Sequence, residues 1–85
     1  MNFYLPKKSF YCGIDLHSRN IYICIIDKDR KILVHRKLNN QNTALFLKIL
    51  EPYKHDITTA CESCFPWYWL ADLCADNKIE FKTNF

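Results

Sequence analysis

Apolar and polar positions alternate at the start of this chain. Over residues 10–16, Phe10, Cys12, Ile14 and Leu16 share one face of an extended segment, and Tyr11, Gly13 and Asp15 share the other. Residues 17–20 have turn chemistry. Residues 21–26 are a continuous apolar run, which predicts a central strand buried on both faces. The polar residues 27–30 make a hairpin loop. Residues 31–37 return as a third strand, more polar and therefore nearer an edge. Residues 39–42 supply loop and helix-cap side chains. Residues 43–50 read as a short helix whose inward stripe is Leu45, Phe46, Ile49 and Leu50, and Pro52 stops it. Residues 57–61 form a fourth strand. A second helix is predicted over 66–76, with Pro66 in its first turn, Leu70, Leu73 and Cys74 facing inward, and Asn77 ending it in the left-handed conformation. A fifth strand begins at 79–81.

The element order is βββαβαβ. Tight turns join the first three strands into an antiparallel meander, and a strand reached through a helix runs parallel to one already in the sheet. The expected class is α/β, a mixed sheet with helices covering it. Residues 1–9 read as a leader and 10–85 as a single domain, because 85 residues leave room for one. The fifth strand would stand as an uncovered edge. The expectation is therefore the amino-terminal part of a larger domain, incomplete at its carboxyl end.

Composition narrows the function classes. Apolar residues make up 49% of the chain and aromatics 15%, enough for a dense core and too much for disorder. The net charge of +3 fits a nucleic-acid partner and an ordinary solvated surface equally well. The cations Lys28, Arg30, Lys31, Arg36 and Lys37 form either a phosphate-contacting patch or a lysine-guarded strand edge. Lys7 and Lys8 stand in the same position. The single glycine, Gly13, excludes the GxGxxG and GxxxxGK[ST] phosphate loops and counts against an actin-like ATPase. Five cysteines, no apolar signal region in the first eight residues and no apolar run near the ~20 residues of a membrane span point to a reducing cytoplasm.

Asp15 is the unusual residue of the first strand, a carboxylate between Ile14 and Leu16 that is costly to bury without a partner or a metal. Gly13 lies on the same face and leaves room beside it. Glu62 closes the fourth strand. If the two strands are parallel neighbours, Asp15 and Glu62 lie side by side at their carboxyl ends, where open α/β sheets gather ligands. Two carboxylates there repel unless a divalent cation bridges them, and Mg²⁺ suits such a pair; two ions can drive in-line phosphodiester chemistry. The plainer reading is a strand-ending aspartate and a glutamate at a helix N-terminus. Cys61 and Cys64 form a CxxC between strand and helix, the placement of a thiol redox motif, or else two packed thiols. His17 lies close enough to Asp15 to approach a metal or phosphate, or is an exposed turn histidine. Trp67, Tyr68 and Trp69 open the second helix, as core or interface residues or as base-stacking platforms.

Two segments carry a resemblance. FYCGIDLH at residues 10–17 and ITTACESCFPWYWLADLC at 57–74, with VHRKL between them, look like the N-terminal part of the insertion-sequence one-ten family of DEDD transposases. That resemblance implies a ribonuclease H-like, RuvC-like domain, and covers nearly the whole chain. It implies that Asp15 and Glu62 are the first two acids of a tetrad holding Mg²⁺ for DNA strand cleavage and exchange in transposition. It further implies DNA and a structured guide RNA as partners and a homo-oligomeric full-length protein; the lack of a long apolar run adds the expectation of no membrane partner. The family's third and fourth acids and its serine-bearing domain have no counterpart here, so the resemblance implies an inactive fragment. Asp72 and Asp76 do not replace those acids, because they lie within the second helix. Arg30 stands where the family often has glycine, which predicts a strained or reshaped turn. The alternatives are a non-catalytic nucleic-acid-binding fragment and a small CxxC redox protein.

Overall fold

A computed structural model describes residues 8–62 and 68–84, with Glu62, Thr83 and Asn84 described by their backbone alone. The elements are β1 (Phe10–Leu16), β2 (Asn20–Asp27), β3 (Ile32–Asn39), α1 (Thr43–Leu50), a 3₁₀ turn (Lys54–Asp56), β4 (Ile57–Glu62), α2 (Tyr68–Asp76) and β5 (Glu80–Asn84). They form one five-stranded sheet in the order β3-β2-β1-β4-β5. β2 pairs antiparallel with both β1 and β3, while β4 is parallel to β1 and β5 parallel to β4. This is the expected βββαβαβ mixed sheet. Residues 1–7 of the expected 1–9 leader and the expected helix start at Pro66 and Trp67 lie outside the described residues.

Local chemistry sets the element ends. Asp27 Oδ1 accepts from the backbone N–H groups of Asp29 and Lys31, both at 2.9 Å, and so closes the β2–β3 hairpin. Arg30 adopts φ 66° in that turn, the strain expected of a side-chain-bearing residue where glycine is easier. The Asn42 side chain caps α1 by accepting from Leu45 N–H at 3.2 Å. The end of α2 differs from the sequence expectation. Lys78, not Asn77, takes the left-handed conformation, at φ 60°. Ile79 N–H donates to Cys74 C=O at 2.8 Å and Lys78 N–H to Ala75 C=O at 3.2 Å, the two bonds of a Schellman ending. Asn77 instead turns its side chain back to donate to Leu73 C=O at 2.8 Å. Buried Ile79 then seals the turn against the core.

The core lies on one side of the sheet. Cys12, Ile14 and Leu16 of β1, Ile21, Ile23 and Ile25 of β2, Leu38 of β3, and Ile57 and Cys61 of β4 pack against Phe46 and Leu50 of α1 and Leu70 and Cys74 of α2 in a single cluster. Leu45, Ile49 and Leu73 are half-buried at its margin, and Trp69 also packs against it. Both helices therefore cover the same face. This corrects the expectation for residues 21–26. Ile21, Ile23 and Ile25 are fully buried, but Tyr22 is 40% exposed and Cys24 and Ile26 are half-buried. β2 is central, yet no second layer lies on its other face among the described residues. Burial on both faces needs a layer on each, and a continuous apolar run does not supply one.

Candidate functional site

The carboxyl end of β1 is the candidate site. The alternation that buries Ile14 and Leu16 turns Asp15 to the open face, where its side chain is 69% exposed. Burial therefore places no demand on this carboxylate. It accepts from, or shares a proton with, His17 Nε2 at 3.0 Å, an exposed contact worth little to stability. The His17 ring meets Tyr22 edge-to-face at 5.1 Å, and Tyr22 is the cross-strand partner of Asp15. The turn beneath is fixed by backbone and amide bonds. His17 N–H donates to Asn20 C=O at 2.8 Å and Asn40 N–H to Arg19 C=O at 2.9 Å. Asn40 Nδ2 also donates to Ser18 C=O at 2.7 Å. The β1–β2 turn is thus tied to the end of β3.

β1 and β4 run in parallel with Gly13 beside Ala60 and Ile14 beside Cys61. One residue further along each strand come Asp15 and Glu62. Tyr22 pairs with Lys37 on the other side, and Glu62 with Asn84. The backbone register therefore draws a row across the sheet, Lys37, Tyr22, Asp15, Glu62, Asn84. Of Glu62 the described part is the backbone, so the second carboxyl group lies outside the described residues. Gly13 sits one step back on the open face, and a Cβ there would meet nothing within 4 Å. The surface beside Asp15 is open space rather than a fitted cradle.

Among the described residues no group of three or more His, Cys, Asp or Glu side chains gathers in metal-ligating geometry. One exposed carboxylate fits a hard, oxygen-seeking cation as a single ligand, with His17 competing for the same oxygen. The sequence reading pointed to Asp15, Glu62 and His17 and passed over Tyr22 and Asn40. The signal for Tyr22 was its place between Ile21 and Ile23, which sets it opposite to the buried positions. Asn40 acts through a contact 22 residues away in sequence, which no local pattern reveals.

The thiols are placed differently. Cys61 is buried in the core and Cys64 lies outside the described residues. Burial raises the Cys12 thiol far above its ordinary range, with Cys74 and Cys24 nearby adding to the effect. Burial alone pushes Cys74 up to about 12. Both are packed thiols, not reactive ones. Several cations have no ion-pair partner among the described residues: Arg19, Lys28, Arg30, Lys31, Arg36, Lys37 and Lys48. Lys8, by contrast, pairs with Glu80 at 3.2 Å. No described helix is long and apolar enough to cross a membrane.

No family model matches the sequence, and no curated protein matches it. Solved structures do. The large terminase nuclease from thermophilic phage G20c superposes with TM-score 0.63 at 17% identity, over 95% of this chain and 46% of that one. The Pelota protein of Thermoplasma acidophilum superposes with TM-score 0.58 at 13% identity, over 92% of this chain and 28% of that one. The chain thus spans less than half the length of either. The fold is the ribonuclease H-like, RuvC-like α/β fold, and the relationship to these proteins is a distant structural one.

Proposed function

We propose that this chain binds nucleic acid through the ribonuclease H-like sheet without cutting it. The observation that carries the reading is the run of cations on β3 and its hairpin, Lys28, Arg30, Lys31, Arg36 and Lys37, without an ion-pair partner among the described residues, set on a sheet of nuclease-like fold. A cation that gives up no internal ion pair is free to neutralise a phosphate, and the displaced counterions drive binding. Asp15 is 69% exposed and bonded to His17, an ordinary strand-ending carboxylate, and this supports the non-catalytic half of the reading. The test is the affinity of the 85-residue chain for a DNA or RNA oligonucleotide across ~50 to 200 mM salt, with an expected slope of about −3 in log K against log salt. A slope near zero overturns phosphate-driven binding. Mg²⁺-dependent strand cleavage that vanishes in Asp15→Ala overturns the non-catalytic half.

One observation favours a second reading, that the chain is the front of a DEDD transposase of the insertion-sequence one-ten type. The parallel register of β1 and β4 leaves Asp15 and Glu62 each one residue beyond the Ile14–Cys61 pair, which supports reading them as that family's first two acids. In the whole protein Asp15 and Glu62 would hold Mg²⁺, which when bound supplies Lewis-acid activation of a phosphodiester. DNA transposition, a structured guide RNA and homo-oligomerisation belong to this reading. In a longer protein containing this chain, Asp15→Asn is expected to abolish strand cleavage and leave DNA affinity intact; unchanged cleavage overturns the role of Asp15.

A further inference from the structure

Away from Asp15, at the β3 edge, α1 stops short of covering the sheet. The gap is an open groove of about 350 Å³, within the ~300–1,000 Å³ of small-ligand sites. Its floor is apolar, made by Val34 of β3, Leu45 and Ile49 of α1, and Pro52 and Tyr53 behind the helix. The Tyr53 ring is held in place by an edge-to-face contact with Phe10, centroids 4.9 Å apart. Arg36 and Lys48 complete the lining. Both are exposed cations, without an ion-pair partner among the described residues, and no carboxylate lines the groove.

The register explains why Arg36 is there. It pairs with Ile23 on β2, so it belongs to the helix-covered face, where its neighbours Val34 and Leu38 pack inward. An arginine at that position of a strand destined for a core would be costly to bury. At the uncovered edge it keeps its charge in water while its stem lines an apolar floor.

We propose that this groove is a single-nucleotide subsite for single-stranded DNA or RNA, with the base on the Val34, Ile49, Pro52 and Tyr53 floor and its flanking phosphates on Arg36 and Lys48. The inference rests on the nucleic-acid reading above and deepens it. A duplex offers phosphates to Arg36 and Lys48 but keeps its bases stacked inside, so it cannot use the apolar floor. A single strand presents both a π-face and a charged backbone, the pairing that sequence-tolerant single-strand binders exploit. The cations then do more than attract. They flank an apolar slot and select the form of nucleic acid in which bases are free. A second copy of the chain is disfavoured as occupant, because β3 with its flanking Lys31 carries Arg36 and Lys37 and no carboxylate, so two such edges would set like charges together.

The test is fluorescence anisotropy of the 85-residue chain with a labelled oligothymidylate, an oligouridylate, a duplex of the same length and an acidic, apolar peptide. Single strands of either sugar are expected to bind about tenfold or more tighter than the duplex, the worth of one stacked base. Ile49→Trp, which fills the groove, is expected to remove that preference and leave duplex affinity unchanged. Arg36→Gln is a second variant at a surface position, expected to weaken single-strand binding while the far-ultraviolet circular dichroism is unaltered. Lys28→Gln, on the hairpin away from the groove, is expected to weaken single strand and duplex alike. Equal affinity for single strand and duplex, or a preference that survives both groove variants, overturns the subsite but leaves nucleic-acid binding standing. Absence of binding to any nucleic acid overturns the broader reading with it. Binding of the acidic peptide in preference to every oligonucleotide assigns the groove to a protein partner and overturns the proposal.

Discussion

β1 presents two different surfaces to the rest of the molecule. On one face Cys12, Ile14 and Leu16 lie in the core under α1 and α2; on the other Tyr11, Gly13 and Asp15 meet no layer among the described residues. The covered face holds the chain together, because there Ile14 and Leu16 join the isoleucines of β2 and the helix residues Phe46, Leu50 and Leu70 out of water. The open face carries the only carboxylate of β1, the His17–Tyr22 contact and the glycine. A single strand therefore divides packed from exposed positions residue by residue. Substitutions on its two sides are expected to separate in the same way.

The largest effect falls on the covered face. Phe46 is fully buried between the sheet and the helices, so Phe46→Ala is expected to cost about 3–5 kcal/mol, measured by urea unfolding. Tyr22→Ala on the open face is expected to cost far less. A loss at Tyr22 equal to that at Phe46 would show that the open face is itself packed, and would break the comparison.

The next effect is a pH dependence confined to the covered face. Burial keeps the Cys74 thiol protonated up to about 12, against 9.0 for an unburied thiol. Above pH 9 the unfolded chain releases this proton and the folded chain does not, so the unfolded state binds fewer protons and stability falls as pH rises. The Cys74 contribution is expected to be level below pH 9 and to decline from there towards 12. Cys74→Ala should flatten part of that decline in denaturation midpoints measured against pH. A decline of the same size without Cys74 would assign it elsewhere.

Alkylation compares the faces directly. Cys24 is half-buried on the open side and Cys12 is buried on the covered side. Iodoacetamide at neutral pH is expected to label Cys24 well before Cys12, read by peptide mass spectrometry; equal labelling would indicate that the core opens on the same timescale. The smallest effect is at Gly13. A Cβ there meets nothing within 4 Å, so Gly13→Ala is expected to change stability by less than about 0.5 kcal/mol. Its consequence should appear instead in nucleic-acid affinity if a ligand approaches that part of the sheet.

The candidate site was partly legible in the sequence. Asp15 stood out because a carboxylate interrupted an apolar strand, and the crossover rule made β4 parallel to a strand already in the sheet; the structure shows that strand to be β1. His17 fell within reach through simple spacing. The groove under the β3 edge was not legible. It depends on how far an eight-residue helix reaches across the sheet, and Arg36 and Lys48 come together only because two elements pack side by side.

The sequence by itself determined the strands and helices, their order and the inward stripes of β1, α1 and α2, because alternation and helical period are local patterns. The Asn42 cap and the Arg30 turn belong to the same local chemistry. Only the tertiary structure decided that both helices share one face, that the apolar run of β2 is buried on one side alone, and that Lys78 rather than Asn77 ends α2. Those outcomes turn on which surfaces meet, and hydrophobic burial is non-directional: it requires that an apolar face be covered without specifying by what.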